Sequence, residues 1–597
     1  MKNLTLILTI AIFAWTNVLF AQSKKVNGRV NSPSNENIVG ALVMLKGTTN
    51  AVATDFEGKF SLNIPENTEN PILVISFMGY NTQEVSLEGK DYIDVVLESS
   101  SETLNEIVVT AFGVSKDKRD LGYSTQSIEG ADLIQARQPN PVEGLVGKIA
   151  GLNIGTNQEM LGRPNIELRG NTGIMYVVDG VPINSDSWNI SPDDIETYTV
   201  LKGPNAAALY GFRGQNGAIL ITTKRGTKST KGFHVSYNTS VQANSGFLTK
   251  PPTQSEYGVG DNYVYAFGNQ PLDQDGKQRR AAIWGPRMEG QLVPQWDSPL
   301  DENGIRLGTP LEAKGKDNLK NFIQTGWLTV NNINMGTSND KSDFRVSLTN
   351  QRQVGIWPNT SINFNNLQVN GGHALTEKLK VRSMLNVNMQ NSENIPDANY
   401  GPNSYAYDFG VYQGAWFDVR DLKDYWLIDG VQQLNREYGR TNNPWFIANE
   451  WLRSHRKNDM YGYVSLSYDI NKYSQVLVRT QATFWDAMRT EKRPVSAEIY
   501  DRPNRAGDYM EDRRSLFESN TDVLYTYNRE VKDFHIGGLI GGAVRDFNYN
   551  SSWATTNDLV VPGVYNFTNS RNPVFTYDYR SRMLVLSGYS SIDLGYK

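Results

Sequence analysis

The chain contains no cysteine, so it holds neither a disulfide nor a thiolate-bound metal, and it is not itself a lipoprotein. Its four histidines, His234, His373, His455 and His535, are scattered, which argues against a histidine metal site. Charge is sparse and nearly balanced, 58 Lys and Arg against 63 Asp and Glu for a net of −5, with no basic run. That excludes the electrostatic footprint of a nucleic-acid binder. The sequence has no Walker loop, no HExxH and no GxSxG. No catalytic constellation appears, so the chain does not read as an enzyme, and no cofactor or metal is expected. Asp273-Gln-Asp-Gly276 starts like a calcium loop but lacks the later ligands, and reads as a turn.

The chain opens on Met1-Lys-Asn3, an apolar stretch from Leu4 to Phe20, and Ala21-Gln22. This is the pattern of a secretory signal peptide over 1–21. A membrane anchor is the alternative, and Thr9, Thr16 and Asn17 dilute the run against it. Over 22–100, apolar residues alternate in short stretches, such as Phe60/Leu62/Ile64 and Leu73/Ile75/Phe77. Turn residues such as Asp55-Phe-Glu-Gly58 separate them. Short alternating strands at this spacing predict a small β-sandwich.

Residues 162–226 carry the most information. Three phrases follow in order: Ile166-Glu-Leu-Arg-Gly170, Tyr176-Val-Val-Asp-Gly-Val-Pro182, and Ile195–Lys202 running on to Tyr210-Gly-Phe-Arg-Gly-Gln-Asn-Gly217. Met175–Val178 is apolar and stops at Asp179-Gly180, a hairpin signal. Ala206–Leu209 favours helix, and the glycines Gly211, Gly214 and Gly217 lead into a β-rich run. The pattern reads strand, helix, glycine turn, strand, in a mixed α/β domain over 115–228.

From about residue 230 the strands alternate apolar with polar. Val464, Leu466, Tyr468 and Ile470 oppose Ser465, Ser467 and Asp469, and Leu385, Val387 and Met389 oppose Asn386, Asn388 and Gln390. One apolar and one polar face, on strands of about ten residues, is the transmembrane β-barrel pattern. Soluble sandwiches also alternate, but their polar faces are usually richer in Lys and Glu. Long loops are expected at about 244–326, 392–457, 488–512 and 548–579. Tyr405, Tyr407, Tyr412, Trp416 and Trp426 crowd the second, interleaved with Asp408, Asp418 and Arg420. Exposed aromatics beside charges suit a sugar- or peptide-binding surface. The same rings would equally serve loop packing.

The three phrases closely resemble the plug domain of TonB-dependent outer-membrane transporters of the SusC/RagA type. The 22–100 segment resembles the carboxypeptidase-regulatory-like domain that precedes such plugs, and 229–597 resembles the start of their barrel. The resemblance implies a mainly β fold: a sandwich, an α/β plug, and the first part of a large antiparallel transmembrane barrel of about 22 strands when complete. It implies that Arg169, Gly170, Asp179, Gly180, Lys202, Gly203, Arg213, Gly214, Asn216 and Gly217 hold the plug's turns and its wall contacts. The bland alternative is that the charged ones are ordinary surface charges. Within 101–114, Glu106, Ile107, Val108, Val109, Thr110 and Ala111 resemble a TonB box, a β-prone peptide that a partner captures by strand addition.

The implied function is TonB-dependent import of an oligosaccharide or peptide across the outer membrane. The implied partners are TonB with its inner-membrane motor and a SusD-like surface lipoprotein. A surface receptor, adhesion or signalling protein on the same scaffold is the alternative, as is a non-functional truncated product. Roughly ten strands follow the plug, fewer than a closed barrel of this type needs, so the native protein is expected to run on past Lys597 to about a thousand residues.

Overall fold

The computed structural model describes residues 23–33, 36–48, 50–65, 68, 70–77, 80–98, 107–109, 115–117, 125–134, 138, 140–155, 160–161, 164–184, 190–202, 206, 210–226, 232–245, 253–266, 284–397, 400–412, 414–436, 441–500 and 505–596. The signal-peptide segment, Gly203, and Glu106, Thr110 and Ala111 lie outside them.

The N-terminal unit is two small sheets around one core. Ser23–Asn31 is the central strand of the first, antiparallel to Lys59–Pro65 and parallel to Tyr92–Val96. The second runs Ala51–Ala53, Leu42–Leu45, Ile72–Ser76, Gln83–Ser86. Lys59–Pro65 shows the cause. Its side chains alternate strictly, and Phe60, Leu62 and Ile64 point inward. They meet Val26 and Val30 of the same sheet and Val43, Leu73 and Ile75 of the other.

The plug's main sheet has the order Thr125–Glu129, Ile195–Leu201, Ala218–Thr223, Met175–Val178, Val181–Ile183. The 175–178 strand is parallel to 218–223, and the remaining pairs are antiparallel. Asp179 and Gly180 turn the final hairpin with φ of 48° and 80°. A two-residue hairpin loop of this hand needs positive φ at both positions, which Asp-Gly supplies at low cost. Gly211–Gly214 forms a 3-10 turn before the strand at 218. Most of the helical stretch expected at Ala206–Leu209 lies outside the described residues.

Ten strands then form one antiparallel sheet in chain order: Gly232–Asn244, Gly326–Ser338, Ser342–Val354, Ser361–Ala374, Leu379–Asn394, Leu452–Asn471, Ser474–Arg493, Asp508–Val531, Phe534–Leu559 and Ser570–Tyr596. Its two faces are inverted relative to a water-soluble protein. Asn332, Ser347, Gln368, Asn386, Thr483 and Glu518 are buried on the inner face, while Leu385, Val464, Leu466, Val478, Val523 and Ile540 are exposed on the outer. The register lines the outer residues up across strands, Val381 beside Leu466 beside Val478 beside Val523. Hydrogen-bonding side chains turned toward the plug and apolar ones turned outward suit lipid outside and protein inside.

The strands run from 13 to 27 residues, longer than the ten expected from alternation. They extend past the apolar stretch into polar sequence, so 548–579, read as a loop, is largely strand, and 488–512 is strand at both ends around a connecting loop. The connections there are 494–507 and 560–569, while 339–341, 375–378, 472–473 and 532–533 turn tightly at the other end. Long loops at one end and short turns at the other is the asymmetry expected of an outer-membrane barrel sheet.

Candidate plug seat and outer loops

The wall contributes directly to the plug's core. Met384, Tyr461 and Tyr463, from two neighbouring strands, pack with Val178, Ile183, Tyr198 and Ile219 of the plug. Around this apolar contact stand polar anchors. The wall's Glu518, fully buried, accepts from Nη1 of the plug's Arg213 at 3.1 Å and from Nη2 of the wall's Arg545 at 2.8 Å. Asn184 of the plug donates to the same carboxylate at 3.4 Å. A second ion pair joins the wall's Arg345 to the plug's Asp194 at 2.7 Å, both buried. Gln481 donates to the Pro182 carbonyl at 2.7 Å, and the Trp485 indole to that of Asn184 at 3.1 Å. Asn370 donates to the Thr223 hydroxyl at 2.9 Å.

The plug-motif residues divide by what they touch. Arg169 and Gly170 form a turn with φ of 52° and 84°. Asp179 accepts from the Thr223 amide at 2.9 Å and its hydroxyl at 2.7 Å, tying the hairpin turn to the next strand. Burial pushes the Asp179 carboxyl above the ordinary aspartate range, against those two donors. Lys202 is buried and donates to Gln126 Oε1 at 3.1 Å. Asn216 donates to the Thr172 carbonyl at 2.6 Å, while Gly214 is buried and Gly217 has φ of 102°. Among the described residues, Arg213 is the named charge seen to ion-pair with the wall. Its partner Glu518, and the Arg345–Asp194 pair, were not singled out from the sequence. No local signal marks them, because the partners stand far apart in the chain, 305 residues for Arg213 and Glu518.

Asp179→Ala leaves a buried amide and hydroxyl without an acceptor and keeps a side chain in the left-handed region. It is expected to destabilise the plug by about 1–3 kcal/mol. The check is the midpoint of plug proteolysis on heating protein extracted from membranes. An unchanged midpoint would mean the turn holds without its carboxylate.

The aromatic loop has a core of its own. Tyr405 and Trp416 are buried in it with Trp296, Phe322, Trp357, Phe409, Phe417 and Phe446, and Tyr407 is buried beside it. Tyr405 stacks on Trp357 at 4.8 Å. The faces of Tyr405 and Trp416 are therefore taken up by neighbours. Tyr412 and Trp426 are half-buried, Trp426 edge-on to Phe446 at 5.1 Å. Arg436, fully buried, pairs with buried Asp408 and lies 4.3 Å over the Phe417 ring. Of the expected TonB box, Ile107–Val109 forms a strand in a two-stranded sheet with Ser115–Asp117.

Residues 26–109 match a carboxypeptidase-regulatory-like domain, and 117–218 match the TonB-dependent receptor plug domain. The chain is 34% identical to the TonB-dependent receptor SusC of Bacteroides thetaiotaomicron over 54% of its own length and 31% of that protein. It is 26% identical to the TonB-dependent receptor P3 of Formosa agariphila over 94% of its length and 54% of that protein. The chain thus spans about half or less of these relatives. In fold it is similar to the RagAB peptide importer in its open-open state, with a TM-score of 0.63 at 17% identity, covering 82% of this chain and 55% of that one. With a matched plug domain seated on a wall that is polar within and apolar without, the chain is similar in sequence to TonB-dependent receptors of the SusC type and in fold to the RagAB importer.

Proposed function

We propose that the protein takes part in TonB-dependent import of a nutrient, an oligosaccharide or peptide, across the outer membrane. The observation that carries this reading is the plug seated on the wall's inner face by an apolar contact ringed with ion pairs and hydrogen bonds. In this reading a SusD-like lipoprotein covers the outer loops, and TonB takes hold of residues 106–111. Strand capture needs β-branched sequence without proline, which Glu106–Ala111 supplies. Captured there, the segment transmits a pull to the plug, whose anchors on Glu518 and Arg345 then part. The signal peptide over 1–21 and the TonB-box assignment belong to the same proposal.

Deleting Glu106–Ala111 tests it. Growth on the imported nutrient is expected to stop while surface expression stays normal. Growth that continues at the original rate would overturn energised import.

A further inference from the structure

The outward face of the wall changes character along one line. In Ser342–Val354 its outward side chains run Leu348, Asn350, Arg352. In Leu452–Asn471 they run Met460, Asn458, Arg456, and in Asp508–Val531 they run Phe517, Ser515, Arg513. Each strand passes from apolar group to hydrogen-bonding group to guanidinium within a few residues, moving away from the tight turns. The register joins these steps into a row. Arg352 lies beside Asn363, Asn363 beside Asn391, and Asn391 beside Arg456. Arg456 lies beside Met488, and Met488 beside Arg513.

The three arginines differ in what they touch. All are exposed. His455 and Lys457, on either side of Arg456, are buried on the inner face, so the Arg456 side chain leaves the wall on the lipid side. Arg513 is taken up by Glu511 at 2.7 Å. Asp486, also outward, accepts from Asn458 at 3.3 Å. Among the described residues, Arg352 and Arg456 form no ion pair or hydrogen bond. The turn end of the same face is different. Phe344, Tyr468, Ile470, Tyr525 and Phe534 are exposed there, and its outward Arg529 lies 4.8 Å from the centre of the Tyr473 ring.

A strand rises about 3.3 Å per residue, so Arg352 and Arg456 stand about 13 Å along the strand beyond Leu348 and Met460. Strands tilted by about 35–45° turn that into about 10 Å of height. That is the level of lipid headgroups, and a long arginine stem can bend to meet them. In barrels of this kind the end with the long loops faces the outer leaflet. Across the sheet the two arginines are three strands apart, about 14 Å. Asn363 and Asn391 fill the interval. A guanidinium binds phosphate through two parallel hydrogen bonds, and amides bind hydroxyls. Simple solvation would account for exposed arginines. It would not account for a shared row directly beyond the apolar edge, with amides between.

We propose that Arg352 and Arg456, with Asn363 and Asn391 between them, hold the phosphorylated headgroup of an outer-leaflet glycolipid against the outside of the wall. The proposal rests on the outer-membrane placement that the import reading requires, and is indifferent to the cargo.

The test uses the full-length protein in neutral detergent with fluorescent monophosphorylated lipid A. Dephosphorylated lipid A and inorganic phosphate are the comparison probes. The phosphorylated lipid is expected to bind. The double change Arg352→Gln and Arg456→Gln should weaken it about tenfold or more, as loss of charge-assisted bonds to phosphate does. Lysine at both positions keeps the charge without the fork and should recover part of the affinity. Arg529→Gln removes the same charge from the turn end and should leave binding unchanged. Equal binding of the two lipids, unchanged affinity in the double variant, or an equal loss in Arg529→Gln would each overturn the site. Inorganic phosphate that displaces the lipid at equal concentration would overturn the lipid assignment. The TonB-box deletion separates the two ideas. If it leaves growth intact while the double variant loses lipid, import fails and the lipid site stands. If growth depends on the box and lipid binding ignores both arginines, import stands and the lipid site fails.

Discussion

Glu518→Leu is expected to loosen the plug from the wall more than any other single change. The carboxylate is fully buried and stands between two guanidiniums, Arg213 of the plug and Arg545 of the wall. Removing it leaves two like charges facing each other with their common partner gone. Breaking a buried ionic group by deleting one member typically costs about 3–5 kcal/mol, because the remaining charge stays desolvated. For a domain the size of the plug, each kcal/mol moves the melting midpoint by about 4–8 °C. The plug's unfolding, followed by protease sensitivity in membrane-extracted protein, should therefore begin more than about 10 °C lower while the wall's heat stability changes little. Intact cells should also become permeable to large antibiotics. Adding Arg213→Leu should recover part of the loss, since the double change removes the orphaned plug charge as well. A plug that melts at its original temperature in Glu518→Leu would show that Arg213 does not hold it.

Much of this fold can be read from residue order. Alternation in Tyr461–Ile470 places the exposed and buried faces where the structure has them, because a strand's period of two leaves few choices once one face is set. Asp179-Gly180 announces its hairpin because few residue pairs take positive φ twice in succession. Strand ends were less legible. The long strands pass beyond the apolar stretch, where alternation no longer separates inside from outside. Thus 548–579 resembled a loop although backbone pairing continues through most of it, and at 488–512 the pairing runs in from both ends.

The site was legible only where its chemistry is local. Asp179 and Gly217 serve turns whose sequence surrounds them. Glu518 looks like any other charge in a polar stretch, and only the packing of the plug against the sheet brings it to Arg213. The aromatic loop shows the same limit. Composition does not distinguish a ring packed on Trp357, as in Tyr405, from a ring held out in water, as in Tyr400. Both occur in one short stretch of chain, and burial is decided by elements far away in the sequence.

The inverted wall leads to the other large effect. Val464 lies on the outer face and is 49% exposed, while its neighbour Ser465 is buried at 8% on the inner face. Beside Val464 across the sheet stand Ser383 and Thr480, and one step along is the apolar row of Val381, Leu466, Val478 and Val523. In a water-soluble sheet, Val464→Arg would be a surface change within about 0.5 kcal/mol of neutral. In a membrane wall the guanidinium must enter hydrocarbon, at a cost of about 2–4 kcal/mol near the midplane and less toward either interface. We expect the larger figure, seen as a lower urea midpoint for refolding into lipid vesicles and as less folded protein in the outer membrane. Ser465→Ala, on the plug side of the same strand, supplies the contrast and should shift the midpoint far less. A neutral result for Val464→Arg in vesicles would place this face in water and undo the membrane reading of the whole sheet, whatever the plug does.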